Sequence, residues 1–281
     1  MFLWGGSNVG TKFIVAHWPP IWTGASRFVC AGLLLLGILR FTNWLGISHP
    51  LASATRRELW LRGGVTLAAY IIAFNWALHQ TSASHVALYL GASPVWALLW
   101  EGPPAPTWGT VRRYGAAALA LGGVLVLNVP ALKHSRANWI GEGLGLAASV
   151  LWTLYSRQCR GWGKTLTGSE ISAHTMWRAG LLLTPLAGVE LCQMGLAWRA
   201  DVACVQSYCI VVGGVITFAL WNRAMRYWPA SQVLLFNNLI PLSTMSWANF
   251  CLGEPVTPTF WAAMGLVIAG VLLGRTSKAE R

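Results

Sequence analysis

Residues 75–94 read NWALHQTSASHVALYLGASP, and residues 222–241 read NRAMRYWPASQVLLFNNLIP. Set side by side, Asn75, Ala77, Ala83, Ser84, Val86 and Pro94 fall on Asn222, Ala224, Ala230, Ser231, Val233 and Pro241 at a constant offset of 147. Working outward, Gly63-Gly64-Val65 matches Gly213-Gly214-Val215 at an offset of 150. Leu3-Trp4 matches Leu151-Trp152 at 148, which pairs Lys12 with Arg160. Ala31-Gly32-Leu33-Leu34-Leu35 matches Ala179-Gly180-Leu181-Leu182-Leu183, also at 148. Apolar helices share Leu, Ala and Gly by chance, but Asn, Ser, Trp and Pro at a nearly constant offset point to an internal repeat. The chain therefore reads as two related halves, 1–130 and 131–281, within one membrane domain.

The membrane reading comes from composition. The chain is 55% hydrophobic and only 10% charged, whereas a soluble domain carries about 25% charged residues. So few charges do not cover a water-facing surface, and a lipid-facing one removes the need. Spans of about 20 apolar residues are predicted near 2–16, 20–40, 59–80, 83–100, 107–129, 139–159, 170–191, 203–223, 230–252 and 257–274, with junctions at Pro19-Pro20, Gly102-Pro103-Pro104, Pro130, Pro229 and Glu254-Pro255. The fold class is an all-α membrane protein with ten transmembrane helices. Five spans per half is an odd number, so the second half enters from the opposite side and the repeats are inverted. That arrangement is a signature of secondary transporters, with the solute site between the halves.

The net charge of +12 does not signal nucleic acid, because the basic residues form no stripe, tail or RNA- or DNA-binding motif. They mark topology instead. With both termini cytoplasmic, Arg40, Arg56, Arg57, Arg62, Arg112, Arg113, Arg157, Arg160, Lys164, Arg223, Arg226, Arg275, Lys278 and Arg281 share the cytoplasmic side, against Lys133, Arg136 and Arg199 on the other. This is the positive-inside pattern. Asp201 is the only aspartate, and the scattered cysteines form no CxxC or Cys/His set. No clustered His/Asp/Glu and no nucleophile–base pair supports an intramembrane enzyme, and no metal or other cofactor is expected. The repeat implies two anomalies. The mate of the span starting near Trp139 would start before Met1. Pro94 to Glu101 is also shorter than Pro241 to Glu254, so the fourth span is expected to be short, or residues are absent around 100–101.

These features resemble the drug/metabolite transporter superfamily in its EamA-type, ten-helix branch. The resemblance rests on Trp4-Gly5 with Asn8, Pro20 with Arg27, Asn75-Trp76-Ala77 followed by Ser82-Ala83-Ser84 and Pro94, and the second series Asn222-Arg223-Ala224, Pro229-Ala230-Ser231, Pro241 and Gly253-Glu254. The richness in Trp is similar in particular to bacterial YddG-type aromatic amino acid exporters. The resemblance implies a multi-pass protein of the bacterial inner (plasma) membrane that exports amino acids or related metabolites. Its expected partners are the solute and membrane lipid, with no obligate protein partner and a monomeric state. Export or facilitation of other small metabolites or drugs, such as nucleosides or polar or neutral amino acids, is the alternative, and a non-transporting receptor or scaffold is the remote one.

Candidate solute contacts follow from helical spacing. Trp4, Asn8 and Lys12 recur every four residues and share a face, and their mates are Trp152, Ser156 and Arg160, with Tyr155 beside them. Tyr70 and Phe74 share one face of the third span, with Asn75 and His79 on the next. His85, Tyr89 and Ser93 form a stripe in the fourth, and its mates in the ninth are Gln232, Phe236 and Ile240. Asn222, Asn237 and Asn238 complete the set. Aromatics would stack a planar solute, amides and hydroxyls would orient its polar head, and Lys12 or an arginine would pair with a carboxylate. The same residue types also glue helices together in membranes. Arg27 and Arg178 are expected to snorkel or to bond loop carbonyls. Pro94 and Pro241 each withhold a backbone donor and are candidate hinges. The scarcity of intramembrane acids predicts facilitated diffusion or weak coupling.

Overall fold

The computed structural model describes residues 1–45, 50–81, 86, 89–100, 107–134, 139–252 and 258–274. Among them there is no strand. The helices are α1 (Phe2–Val15), α2 (Pro20–Phe41), α3 (Ser53–Gln80), α4 (Ser93–Trp100), α5 (Trp108–His134), α6 (Trp139–Trp162), α7 (Gly168–Met194), α8 (Ala200–Tyr227), α9 (Ala230–Leu235), α10 (Leu239–Leu252) and α11 (Pro258–Gly274).

The glutamates serve helix ends. α2 opens on Pro20, whose missing N–H is no loss in a first turn. The next donors, the Ile21 and Trp22 N–H groups, give to Glu190 Oε2 at 2.7 and 3.0 Å, so a carboxylate from α7 caps α2. α7 starts with a capping box: the Glu170 N–H donates to Thr167 Oγ1 at 3.2 Å, and the Thr167 N–H to Glu170 Oε2 at 2.7 Å. Both helices thus begin on a negative charge, as the helix dipole favours.

α3 and α8 each contain a π-helical stretch, Leu59–Gly64 and Cys209–Ile216. Each stretch holds one of the two Gly-Gly pairs found by the repeat. A π turn leaves a carbonyl without its usual α-helical donor. In α8 the Gly213 carbonyl accepts from the Trp4 indole N–H at 3.2 Å and from the Thr217 hydroxyl. Both expected hinge prolines follow a break. The Ala92 N–H turns back to the Tyr89 carbonyl at 3.0 Å just before Pro94, and a 3-10 turn, Phe236–Asn238, precedes Pro241. A proline removes the donor that would have kept the helix regular there.

α2 and α7 form an extensive pair, as do α5 with α11 and α3 with α6. Glycine sets the α2–α7 distance: a Cβ on Gly32 would sit 2.4 Å from the Trp177 nitrogen, and one on Gly180 would sit 2.6 Å from the Val29 nitrogen. The core is apolar but holds polar and charged side chains, and the surface carries large apolar ones, as a lipid-facing protein does. Arg27, Glu170, Arg178, Asn75, Asn222 and Asn238 are buried, while Leu33, Leu34, Val189, Leu220 and Phe250 are exposed. Among the described residues, Pro20–Phe41, Ser53–Gln80 and Ala200–Tyr227 are long and apolar enough to cross a membrane.

Some boundaries move from those expected. α3 begins at Ser53, before position 59, and α5 continues through Pro130 to His134. In lipid, the surrounding helical hydrogen bonds outweigh the one donor that Pro130 lacks. The expected span 83–100 is described only at Val86 and 89–100, with α4 as its last part.

Candidate functional site

Six helices converge on one central cavity. It is lined by Trp4 and Asn8 of α1, Arg27 and Phe28 of α2, Tyr70, Ile71, Phe74 and Asn75 of α3, Trp152 of α6, Phe218 of α8 and Ile240 of α10, with Leu90 and Asn237 completing the wall. Its volume is about 40 Å³, room for about one or two waters.

One wall is a continuous aromatic cluster. The Trp152 ring lies 5.6 Å from Trp4, 5.1 Å from Tyr70, 5.7 Å from Tyr155, 5.8 Å from Phe218 and 5.4 Å from Trp221. Tyr70 stacks on Phe74 at 5.5 Å. These spacings are those of attractive edge-to-face and offset ring pairs.

The opposite wall is polar and incompletely bonded. Asn75 Nδ2 donates to the Pro20 carbonyl at 2.9 Å, and Arg27 Nη1 donates to Thr11 Oγ1 at 3.0 Å. Arg27 Nε and Asn237 Oδ1 are buried and without a hydrogen-bond partner. Buried polar atoms are ordinarily satisfied, so this wall holds unused bonding capacity.

The structure brings Trp4, Asn8, Tyr70, Phe74, Trp152 and Asn237 together at the cavity. Other candidates stand elsewhere. Tyr155 backs Trp152, and its hydroxyl pairs with Thr175 Oγ1 at 2.9 Å. Asn222 Nδ2 donates to Ser172 Oγ at 2.8 Å and to the Tyr155 hydroxyl at 3.4 Å. Ser156 is buried beyond the cavity wall. Ser93 Oγ donates to the Leu90 carbonyl at 2.6 Å, and Asn238 Nδ2 to the Leu235 carbonyl at 3.2 Å. Tyr89 packs on Gly145, Phe236 is half-buried in the 3-10 turn, and His79 is exposed beside Trp76. Gln232 lines a separate, wider hollow of about 700 Å³ with Arg113, Arg160, Tyr227 and Trp228. His85 lies outside the described residues.

Lys12 has a different role from the one expected. Its Nζ donates to the carbonyls of Leu78 at 2.5 Å and Thr81 at 3.1 Å, capping the C-terminal end of α3. Its sequence mate repeats the arrangement: Arg160 Nη1 donates to the carbonyls of Met225 at 3.4 Å and of Trp228, at the end of α8. Leu78 and Met225, and Thr81 and Trp228, are 147 positions apart. A cation at a helix C-terminus satisfies stray carbonyls and the negative end of the dipole.

Against known families, the EamA-like transporter family matches residues 1–129 and 139–275. The chain belongs to the EamA-like transporter family. Like its relatives, this EamA-family protein is an integral multi-pass membrane protein and a small-molecule transporter. It is 25% identical to an uncharacterized transporter of Archaeoglobus fulgidus, over 97% of this chain and 93% of that one. It is 23% identical to the inner membrane transporter YedA of Escherichia coli K12, covering 96% and 86% of the two chains. It is also 23% identical to an S-adenosylmethionine/S-adenosylhomocysteine transporter of Chlamydia muridarum, covering 97% and 88%. A solved crystal structure superposes with a TM-score of 0.75 at 17% identity, over 96% of this chain and 92% of that one, a likeness of fold.

In this EamA-family protein, sequence reasoning missed Arg27 as a cavity residue. The signal was available: an arginine seven residues into a long apolar helix is far from the interface that snorkelling needs. Of the mates Asn75 and Asn222, only Asn75 lines the cavity.

Proposed function

We propose that the protein exports small metabolites, amino acids first and aromatic ones above all, by alternating access around the central cavity. The observation that carries this reading is the cavity itself: Trp4 and Trp152, in edge contact at 5.6 Å, form an aromatic wall beside buried polar atoms that have no hydrogen-bond partner. Ring faces suit a planar side chain, and the polar wall suits an amino-acid head. S-adenosylmethionine, named for the Chlamydia relative, likewise joins an amino-acid head to a planar ring. The proposal includes ten spans in two inverted halves with both ends cytoplasmic. The shared Gly-Gly π turns, the α2–α7 pairing and the twin caps by Lys12 and Arg160 support it.

Counterflow in proteoliposomes across amino acids and nucleosides tests the reading. Exchange of aromatic amino acids above protein-free vesicles is expected, and the absence of exchange for every solute would sink it. Facilitated diffusion is expected as well, and uphill accumulation driven by a pH gradient would contradict that part.

In inverted halves the two caps lie at opposite membrane faces, Lys12 outside and Arg160 inside, and each holds its own face closed. Losing a charge-assisted hydrogen bond costs about 1.5–3 kcal/mol. Lys12→Met is therefore expected to raise labelling of a cavity cysteine from outside by about tenfold or more. Arg160→Met is expected to raise it from inside. The idea fails if both variants shift labelling toward the same face.

A further inference from the structure

Arg27 is a charge without a counter-charge. It is 7% exposed and lines the central cavity. Among the described residues no carboxylate lies within ion-pair reach of it. The guanidinium offers five donors. One, on Nη1, meets the Thr11 hydroxyl, the Phe28 ring lies 5.3 Å from the guanidinium carbon, and Nε is buried without a partner. A hydroxyl and one phenyl face are weak compensation for a buried cation, because taking such an ion out of water is costly unless it is paired.

Arg178 shows how the fold treats a buried arginine that has a structural task. Its Nη1 donates to the His174 carbonyl at 2.8 Å and meets His174 Nδ1 at 3.0 Å, its guanidinium lies over Trp177 at 4.5 Å and Trp60 at 5.4 Å, and its Nε, like that of Arg27, has no hydrogen-bond partner. That cluster is away from the cavity. Arg27 instead lines the cavity together with Asn8, Asn75 and Asn237. Amides beside a guanidinium supply donors to the second oxygen of a planar anion and acceptors to a neighbouring ammonium.

Resting on the transport reading above, we propose that Arg27 is the carboxylate anchor of the central site, so that the protein selects solutes bearing a carboxylate, zwitterionic amino acids among them. Arg27 acts as a specificity-determining residue. The missing counter-ion of the cavity arrives with the solute. Amides, decarboxylated amines and neutral nucleosides leave the guanidinium uncompensated and are rejected.

The test compares matched probes: L-tryptophan with L-tryptophanamide and tryptamine, and L-phenylalanine with phenethylamine, with adenosine as a neutral solute. Purified wild type, Arg27→Gln and Arg27→Lys are assayed by counterflow, and by thermal shift in detergent, which reads binding without flux. In wild type the carboxylates are expected to exceed their partners by about tenfold to a hundredfold, the worth of one charge-assisted pair. Arg27→Gln is expected to lose that preference, with carboxylates falling to the level of their amides, and Arg27→Lys to keep part of it with a raised KM. The inference is overturned if wild type treats carboxylates and amides alike in both assays, or if Arg27→Gln keeps the preference. Should Arg27→Gln not fold, the wild-type comparison and Arg27→Lys decide on the same terms. Flux of neutral solutes with no carboxylate preference refutes the anchor and leaves the transport reading standing. Carboxylate-selective thermal shifts with no flux of any solute refute the transport reading and support the anchor.

Discussion

Alanine at Trp152 is expected to remove about 3–5 kcal/mol of stability, the usual cost of emptying a buried tryptophan site. Trp152 touches five aromatic rings on four helices. In a membrane there is little hydrophobic drive between helices, so such packing is itself the cohesive force. A single truncation therefore loosens α1, α3 and α8 at once. Thermal denaturation of the purified protein in detergent should show a much lower midpoint for Trp152→Ala, with Trp152→Phe close to wild type because it keeps a ring in place. The same change widens a cavity that now holds only about 40 Å³, so whatever Trp152→Ala protein survives should accept bulkier solutes than wild type. A melting curve that overlays the wild type would show that Trp152 is not the hub of the aromatic cluster.

The second large effect is expected at the α2–α7 crossing. Valine at Gly32 or at Gly180 would press a side chain into the backbone of the partner helix, at 2.4 Å from the Trp177 nitrogen or 2.6 Å from the Val29 nitrogen. Overpacking costs about 1–3 kcal/mol where side chains give way. Here the obstacle is main chain, so the two helices must separate along an extensive interface. Gly32→Val and Gly180→Val are expected to abolish the monodisperse peak in size-exclusion chromatography of the solubilised protein. Gly37 lies on the same helix with nothing within 4 Å of where its Cβ would stand, so Gly37→Val should elute as wild type. Normal elution of the Gly32 variant would mean the helices are not so closely apposed. Because Gly32 and Gly180 share one interface, the double variant should be no worse than the poorer single one.

The helical, membrane-embedded character was legible because composition and period are properties of the chain alone. Trp4 and Trp152, singled out by spacing, do meet in the structure. Other neighbours were not legible. A spacing of four put Lys12 on the face of Trp4 and Asn8, yet that face curves from the cavity at Trp4 to the end of α3 at Lys12 within two turns. Only the partner helix decides whether the ammonium meets solute or carbonyls. Asn75 and Asn222 are equivalent in sequence but bond different groups, a bare carbonyl of Pro20 and the Ser172 hydroxyl, since Gly24 leaves room where Ser172 fills it. Arg27 is buried beside Thr11 and Phe28 and does not snorkel, because what a charge inside an apolar helix meets is set by the helices packed against it. The π turns left a trace as Gly-Gly pairs, but a glycine pair alone does not distinguish a wide turn from a close crossing.

The small volume of the central cavity has a consequence for the cell rather than for the solute. A membrane that stores energy as ion gradients tolerates no standing column of water through its proteins. With a volume of about 40 Å³, a wall of indole and phenyl rings and the Arg27 charge, the central cavity is too narrow at its own level to hold such a column. At that level the aromatic packing itself is the insulation.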